Sequence, residues 1–562
     1  MKRNNSFSFR NVPIVRHKRS RFDLSHRVLT SGNVGTLYPF EVREVYPGDS
    51  FKCETTVVTR LSSSFFKPLM DNIFLDVYYF YVPSRLLYDK FPNVFGENTQ
   101  SAWANSQEYV VPSLYKSNVN VPAGGVADHL GLPVGVSLTY NDDLRPSVLP
   151  FRAFAKIYDE WFRDENNVAP MHIQQGDAHS SEVINSNDWA PNNYTGMLPK
   201  VAKMHDYFTS CLPAPQKGAA VDLPLSLTGS IPVLAGDDHT LNGNSVHVTG
   251  VDGADVSYTG NFVPLSMYGN GTTGVLRDLT DGVTGNTGDT HALMFSNLWA
   301  VGNKTGMFSG MSVNELRFAF QFQKMLERDA RGGTRYIEYL MNAYGVSPGD
   351  TRLQRSEFLG GKRMPISITQ VTQTTGYSDD VQTPQTLAEV GAYSLSGGKS
   401  RFTKSFVEHG YIIGVFCIRQ FHSYKQGLQK FWTRSKRTDF YDPVFANIGE
   451  QPVYKYELYA NDTTLSDGSI FGYQEAFADL RQAPNLITGA MRSDLDIWHL
   501  GDSYANAPTL NAGFIEETPG NVDRVITVPS SSQDQFILDF YLKMPAIRVM
   551  PTYSVPSLID HN

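Results

Sequence analysis

The pattern of apolar and polar positions in residues 51–82, FKCETTVVTRLSSSFFKPLMDNIFLDVYYFYV, predicts two β-strands joined by a short Ser/Phe/Pro connection. In the second strand, residues 72–82, only Asp76 interrupts an apolar run of Ile73, Phe74, Leu75, Val77, Tyr78, Tyr79, Phe80 and Tyr81. Both faces must then be covered, which makes this a central strand of a sandwich. Pro83 has no N–H to donate, so the ladder ends there. Residues 37–45 predict a further strand, closed by the turn Tyr46-Pro47-Gly48-Asp49.

Helical spacing appears in two places. In FRAFAKIYDEWFRDENN, residues 151–167, Phe151, Phe154, Ile157, Tyr158, Trp161 and Phe162 recur at intervals of three and four, predicting a helix with one buried face. Its charged residues, Asp159, Glu160, Arg163, Asp164 and Glu165, read as a wet face with salt bridges; the sharper reading, a pair of carboxylates for acid/base work, has only their proximity to support it. Later, Ser312 and Glu315 form a capping box, Leu316, Ala319, Phe320, Gln323 and Leu326 share a face, and Gly332-Gly333 end the helix. A second helix is expected over residues 334–344, and the pair is expected to buttress the sandwich.

Composition narrows the class. Aromatic residues make up 12% of the 562, and 46 Gly with 31 Pro supply turns, which together favour a β-rich globular fold with long loops. The length alone would allow three or four domains, but a single sandwich with long insertions is equally admissible. Cys53, Cys211 and Cys417 are far apart and odd in number, against a disulfide framework and for a reducing compartment. The N-terminus is polar, and the longest nearly apolar run, residues 411–418, is too short to span a bilayer, so a soluble product without a secretion signal is expected.

Charge is distributed unevenly. Residues 1–30 hold eight basic side chains, Lys2, Arg3, Arg10, Arg16, Lys18, Arg19, Arg21 and Arg27, against Asp23 alone. That is +7 in a chain whose total is −8, leaving −15 for the remainder. Residues 1–36 therefore read as a basic arm on an acidic body. With Phe7, Phe9 and Phe22 interleaved, the arm suits phosphate neutralisation and base stacking; the plainer alternative is a solvated tail or a localisation-like signal. A second basic stretch, residues 419–437, contains Arg419, Lys425, Lys430, Arg434, Lys436 and Arg437, no acids, and Phe421, Tyr424, Phe431 and Trp432. It has the composition of a single-strand binding groove, or of a subunit contact whose aromatics belong to the core.

Other motifs carry less. Gly269-Asn270-Gly271-Thr272-Thr273-Gly274 satisfies G-x-G-x-x-G, but Pro264 lies in the preceding strand candidate and turn residues follow, so a surface loop is expected. Gly345-Val346-Ser347-Pro348-Gly349 satisfies G-x-S-x-G after a helix, with Pro348 where an oxyanion-hole N–H is needed, and reads as a turn. His172, His179, His239 and His247 lack metal-ligand spacing. No cofactor, metal or catalytic residue is expected.

Several segments then resemble one family in order along the chain: FYVPSRLLYDKF (80–91), LPFRAFAKIYDEWFRDEN (149–166), NELRFAFQFQKMLERDARGGTRYIE (314–338), DTRLQRSEFLGG (350–361), HGYIIGVFCIRQ (409–420), QGLQKFWTRSKRTDFYDPVFANIGEQPV (426–453), GYQEAFADLR (472–481), LDIWHL (495–500) and MPTYSVPSLIDHN (550–562). They are similar to the major capsid proteins of microviruses, the small circular single-stranded DNA phages, and of the gokushovirus type in particular. The resemblance implies an eight-stranded antiparallel jelly roll with long loop insertions and a few helices, one domain over residues 37–562, in which residues 72–82 lie beside 411–419 and residues 51–61 beside 535–543. It further implies a T=1 icosahedral shell of about sixty copies around single-stranded DNA, no enzymatic activity, assembly in the host cytoplasm and no membrane insertion. The partners it implies are further copies of the chain, the genome, a small basic DNA-packaging protein, an internal scaffolding protein, a pilot protein and a host surface receptor. Residues 228–303 fall outside the similarity. They hold 13 of the 46 glycines, seven Asp and a single Arg277, and by resemblance form a variable surface protrusion; the alternative is a flexible interdomain linker, against which the short apolar runs 245–251, 262–267 and 293–299 suggest strands. The candidate nucleic-acid contacts are Arg10, Arg16, Lys18, Arg19, Arg21 and Arg27 of the arm, with Lys425, Lys430, Trp432, Arg434, Lys436 and Arg437. A β-sandwich that binds or cleaves glycans is the rival class.

Overall fold

The computed structural model describes residues 18–97, 109–114, 119–135, 137–138, 146–177, 189–219, 221, 313–372 and 390–553, with six short strands between 233 and 300. Eleven strands build the two main sheets. They are β1 (Ser20–Asp23), β2 (His26–Gly32), β3 (Leu37–Val45), β4 (Ser50–Leu61), β5 (Ile73–Pro83), β6 (Glu357–Ile366), β7 (Ile368–Thr372), β8 (Val390–Ser405), β9 (Gly410–Gln420), β10 (Phe536–Lys543) and β11 (Pro545–Arg548). One sheet is ordered β3-β9-β5-β6; the other holds β2-β10-β4-β8, widened by β1, β11 and β7, and every pairing is antiparallel. Taken as first to eighth along the chain, the eight long strands thus divide between the sheets in the orders 1-8-3-6 and 2-7-4-5, the double Greek key of a jelly roll. The expected neighbours are present: Leu75 lies opposite Ile418, and Val57 opposite Phe540. The two strands of 51–82 are consecutive in sequence but belong to opposite sheets.

The apolar run of β5 has the physical cause inferred for it. Ile73, Leu75, Val77, Tyr79 and Tyr81 point into the sandwich with Phe40, Phe416 and Phe540, whereas Phe80 and Val82 point to a second core formed with α1 (Leu149–Ile157). The smaller sheet is therefore covered on both faces. The larger sheet is not: along β4, Phe51, Cys53, Thr55, Val57 and Thr59 are buried, while Lys52 and Arg60 on the opposite side are exposed.

Four expectations need correction or limits. Residues 20–32 are no arm, since β1 and β2 are integral to the larger sheet; their charges alternate with the inward-facing Phe22, Leu24 and Val28, and this concealed the strands. The helix expected to run up to Asn166-Asn167 is α-helical only from Leu149 to Ile157, where it is buried nearly all round, and continues as a π-helical turn Tyr158–Phe162. Even Arg152 is fully enclosed, its guanidinium donating to the carbonyls of Leu87 (2.9 Å) and Gly176 (3.0 Å). Helix α2 (Val313–Gly332) ends at the predicted glycines, and Ser312 lies outside the described residues. Helix α3 (Tyr336–Tyr344) buries none of its residues, with Tyr336, Met341 and Tyr344 exposed, so it does not buttress the core.

The chain divides into two compact units, one of residues 1–217 with 326–562 and one of residues 218–325. Within the second, Val248–Gly250 pairs with Leu293–Phe295 and Leu298–Ala300 with Val233–Ala235, so the apolar runs around 248 and 293–299 do form strands. Leu265–Gly269 pairs with Gly274–Asp278, so the G-x-G-x-x-G motif joins two antiparallel strands and has no helix after it.

Candidate functional site

Asp76, the one charge in β5, sits at the centre of an ion triad. It is fully buried on the side of the sheet that faces away from the sandwich core; Arg363 of β6 reaches it at 2.7 Å, and Arg419 of β9 ion-pairs with it from the other flanking strand. A carboxylate is tolerable there because two cations and their hydrogen bonds replace water. A cleft of about 830 Å³ beside the triad is lined by Tyr78, Phe80, Trp161, Phe358 and Phe421, but its arginines are already engaged, Arg163 by Asp159 and Arg335 by Glu165 and Glu338.

Just past β9 a second buried charge cluster ties the late loops to the sheet. His422 has Asp502 Oδ1 3.0 Å from Nδ1 and Glu517 Oε2 2.9 Å from Nε2. Burial opposes protonation of the ring, but the Glu517 charge and the hydrogen bonds to both carboxylates outweigh it and raise the His422 pKa to about 10. The same contacts hold the Asp502 carboxyl below its usual range against the effect of burial. Lys203 at 3.6 Å, Tyr504 and Asn521 complete the shell around Asp502. Each of these groups is engaged by another member of the cluster, which fixes the loops of residues 502–521 against the end of β9.

The basic stretch of residues 419–437 does not form one groove. Arg419 is held by Asp76, Lys425 donates to Asp496 at 2.7 Å, Lys430 donates to the Pro452 carbonyl at 3.0 Å, and Arg434 is paired with Asp479. Those acids come from elsewhere in the chain, which is why the stretch looks unneutralised in sequence. Lys436 and Arg437 are exposed, and beside them the surface is apolar: Phe431, Trp432 (70% exposed), Phe440, Tyr441 and Val444. Such a patch suits burial against protein.

Of the arm candidates, Arg10 and Arg16 lie outside the described residues, and Lys18, Arg19 and Arg21 are exposed. Arg27 is exposed but engages Asp539 of β10 through two hydrogen bonds of 2.6 and 2.5 Å. The carboxylates proposed for acid/base work are engaged instead in local structure. Asp159 accepts from Arg163 and the Met171 N–H, and Glu160 accepts from the Ser356 N–H while pairing with Lys156. In the G-x-S-x-G segment Gly345 is the left-handed cap of α3 (φ 67°), consistent with a turn. His172 is an exposed loop residue, and His179, His239 and His247 lie outside the described residues. Among the described residues no group of three or more His, Cys, Asp or Glu could hold a metal ion, and no helix is long and apolar enough to cross a membrane. The three cysteines are free and buried.

What sequence reading missed is the uncovered face of the larger sheet. Its outward positions carry Arg21, Arg27, Lys52, Arg60, Lys399, Arg401 and Lys543 against Asp23, Glu54 and Asp539. The signal was there as alternate charged positions in residues 50–61 and 390–405, but only the strand order brings them together.

Exposed apolar and basic surfaces among the described residues suit association, and comparison with known proteins identifies its kind. Residues 10–558 match the family model described as "Capsid protein (F protein)". The chain belongs to this capsid protein family. It is 36% identical to capsid protein VP1 of Chlamydia phage 1, over 98% of this chain and 97% of that protein. It is also 36% identical to capsid protein VP1 of Spiroplasma virus 4 (96% and 95%) and 35% identical to that of Bdellovibrio phage phiMH2K (99% and 98%). The resemblance to microvirus capsid proteins is thereby borne out. The capsid chain has a structural role in the bacteriophage virion, where it self-assembles into the shell. The rival glycan-binding class loses its support, since similarity to capsid proteins covers nearly the whole chain.

Proposed function

We propose that the chain forms a T=1 shell of about sixty copies around a circular single-stranded DNA genome, without catalysing a reaction. The observation that carries this reading is the similarity to three VP1 capsid proteins along nearly the whole of both chains. Subunit contacts supply the binding energy, and the apolar surface from Phe431 to Val444, with Lys436 and Arg437, is one of them. The basic residues before β1, Arg10, Arg16, Lys18 and Arg19 together with Arg21, turn toward the genome, whereas Arg27 serves the sheet through Asp539. The arm is thus shorter than residues 1–36, and residues 228–303 form an outward protrusion of the jelly-roll domain. Assembly takes place in the host cytoplasm with a small basic DNA-packaging protein, an internal scaffolding protein and a pilot protein, and outer loops meet a host receptor. Nucleic acid extracted from purified particles tests the reading: circular DNA digested by a single-strand-specific nuclease is expected, and duplex DNA, RNA or empty particles alone would contradict it.

A further inference from the structure

The jelly roll has one covered sheet and one uncovered sheet, and the uncovered one is distinctly charged. Seven Lys and Arg face three acids there, a net of +4 on one face of a chain whose total is −8. Two of the acids are engaged, Asp539 by Arg27 and Glu54 by Lys399 at 3.4 Å. Arg21, Lys52, Arg60, Arg401 and Lys543 form no direct ion pair among the described residues, although Asp23 lies close enough to Arg21 and Lys543, and Asp539 to Arg60, to feel their charge. A fold that needed these cations for its own stability would have paired them, as it pairs Arg419, Lys425 and Arg434.

The register arranges this face in rows. Arg27, Tyr541, Thr56 and Lys399 stand side by side across β2, β10, β4 and β8. The next outward row toward the β1 end is Lys543, Glu54 and Arg401, and Ile537, Arg60 and Leu395 form another on the far side. Tyr541 and Tyr393 are 50% and 47% exposed although each sits on a sheet whose other face is core. Within these rows the cations stand two or three strands apart, roughly 10–14 Å at about 4.8 Å per strand, with Tyr541 between Arg27 and Lys399; cations spread in this way around an exposed ring suit a flexible polyanion with stackable bases. The shallow notch between Arg21 and Lys543 opens at the β1 edge, where the chain arrives from Lys18 and Arg19.

We infer that the outward face of the larger sheet is a single-stranded nucleic-acid binding surface continuous with the basic N-terminal residues, and hence the inner surface of the shell. The inference rests on the proposed packaging of single-stranded DNA and adds its site. Phosphates meet Lys52, Arg60, Arg401 and Lys543, and bases stack on Tyr541 and Tyr393. A protein partner would be the other occupant of an open sheet, and the apolar residues Leu29, Ile537 and Leu395 would suit it; but each lies beside a charged neighbour in its row, and the excess of seven cations over three acids favours a polyanion.

The test uses the full chain and a fluorescent thirty-nucleotide oligothymidylate, titrated over a range of salt. Replacing Lys52, Arg60, Arg401 and Lys543 by Gln should flatten the log–log salt dependence by about 2 to 3, since each phosphate no longer neutralised removes about 0.7 from the slope. Tyr541→Ala should weaken binding about tenfold and leave the slope unchanged. Thr403→Lys, which adds a cation at an exposed outward position of β8, should steepen the slope by about 0.7 and does not depend on a weakened variant folding. An unchanged slope in both charge variants overturns the inference. So does loss of particle assembly in the Gln variant with oligonucleotide affinity intact, which would make the face a subunit contact. The packaging reading itself fails separately, if wild-type particles contain no single-stranded DNA.

Discussion

Phe540 stacks on Phe40 across the sandwich, their ring centroids 4.1 Å apart and their planes 15° from parallel. The two residues come from opposite ends of the chain, so the core closes only when the last long strand inserts between β2 and β4. Such non-local closure makes folding slow. Phe540→Ala should cost about 3–5 kcal/mol, seen as a lower urea midpoint of the isolated subunit, and Phe540→Leu should cost less. Equal losses for the two would mean that ring stacking and cavity volume contribute nothing at this position.

Removing Asp76 leaves Arg363 and Arg419 facing each other without their shared anion. Asp76→Ala should therefore destabilise the subunit by about 3–5 kcal/mol, while combining Asp76→Leu with Arg419→Met should recover most of that loss, because the apolar pair needs no desolvated charge. Arg363 is half-exposed and can turn to water. Denaturant titration of the two variants checks the ordering, and a double variant as weak as the single one would refute it.

The His422 cluster gives the subunit a pH dependence with a definite sign. Its pKa is raised in the folded state, so the stabilisation is complete below the unfolded value near 6.5 and is lost as pH rises toward about 10. Asp502, depressed in the folded state, contributes in the opposite sense, above the unfolded carboxylate value near 4, and that contribution fades in acid. Unfolding midpoints of the wild type should fall between pH 7 and pH 10, and His422→Gln should lie about 3–5 kcal/mol below wild type at pH 6 with a flatter profile above pH 7. A parallel profile for the two proteins would remove His422 from the explanation.

Two glycines separate backbone strain from crowding. Gly35 has φ +84° and a Cβ built on it would collide with the Glu517 carbonyl, whereas Gly468 has φ +58° and open space around it. Gly468→Ala should cost about 1 kcal/mol from conformation alone; Gly35→Ala should cost clearly more, because the loop carrying Glu517, and with it the His422 cluster, must move. The comparison is read from thermal midpoints of the two variants.

The β5 strand, its partner β9 and the jelly-roll pairings were legible in the sequence because a buried strand advertises itself by an unbroken apolar run, and family segments fixed the order. The helix boundary at Ile157 and the burial of Arg152 were not: a guanidinium reads as surface until the carbonyls of Leu87 and Gly176, from distant loops, are seen to need donors. The stretch of residues 419–437 misled for a related reason, since Asp76, Asp479 and Asp496 reach it only through the fold. Conversely, the cations of the open sheet face are scattered over five strands, and no local pattern unites them.

The most direct measurement is the mass and shape of what the full-length chain assembles into, by mass photometry and negative-stain microscopy, with and without the proposed internal scaffolding protein. Closed, uniform spheres of about sixty chains are predicted. A chain that stays monomeric under both conditions, or that grows into open sheets or filaments, would contradict the capsid architecture described here.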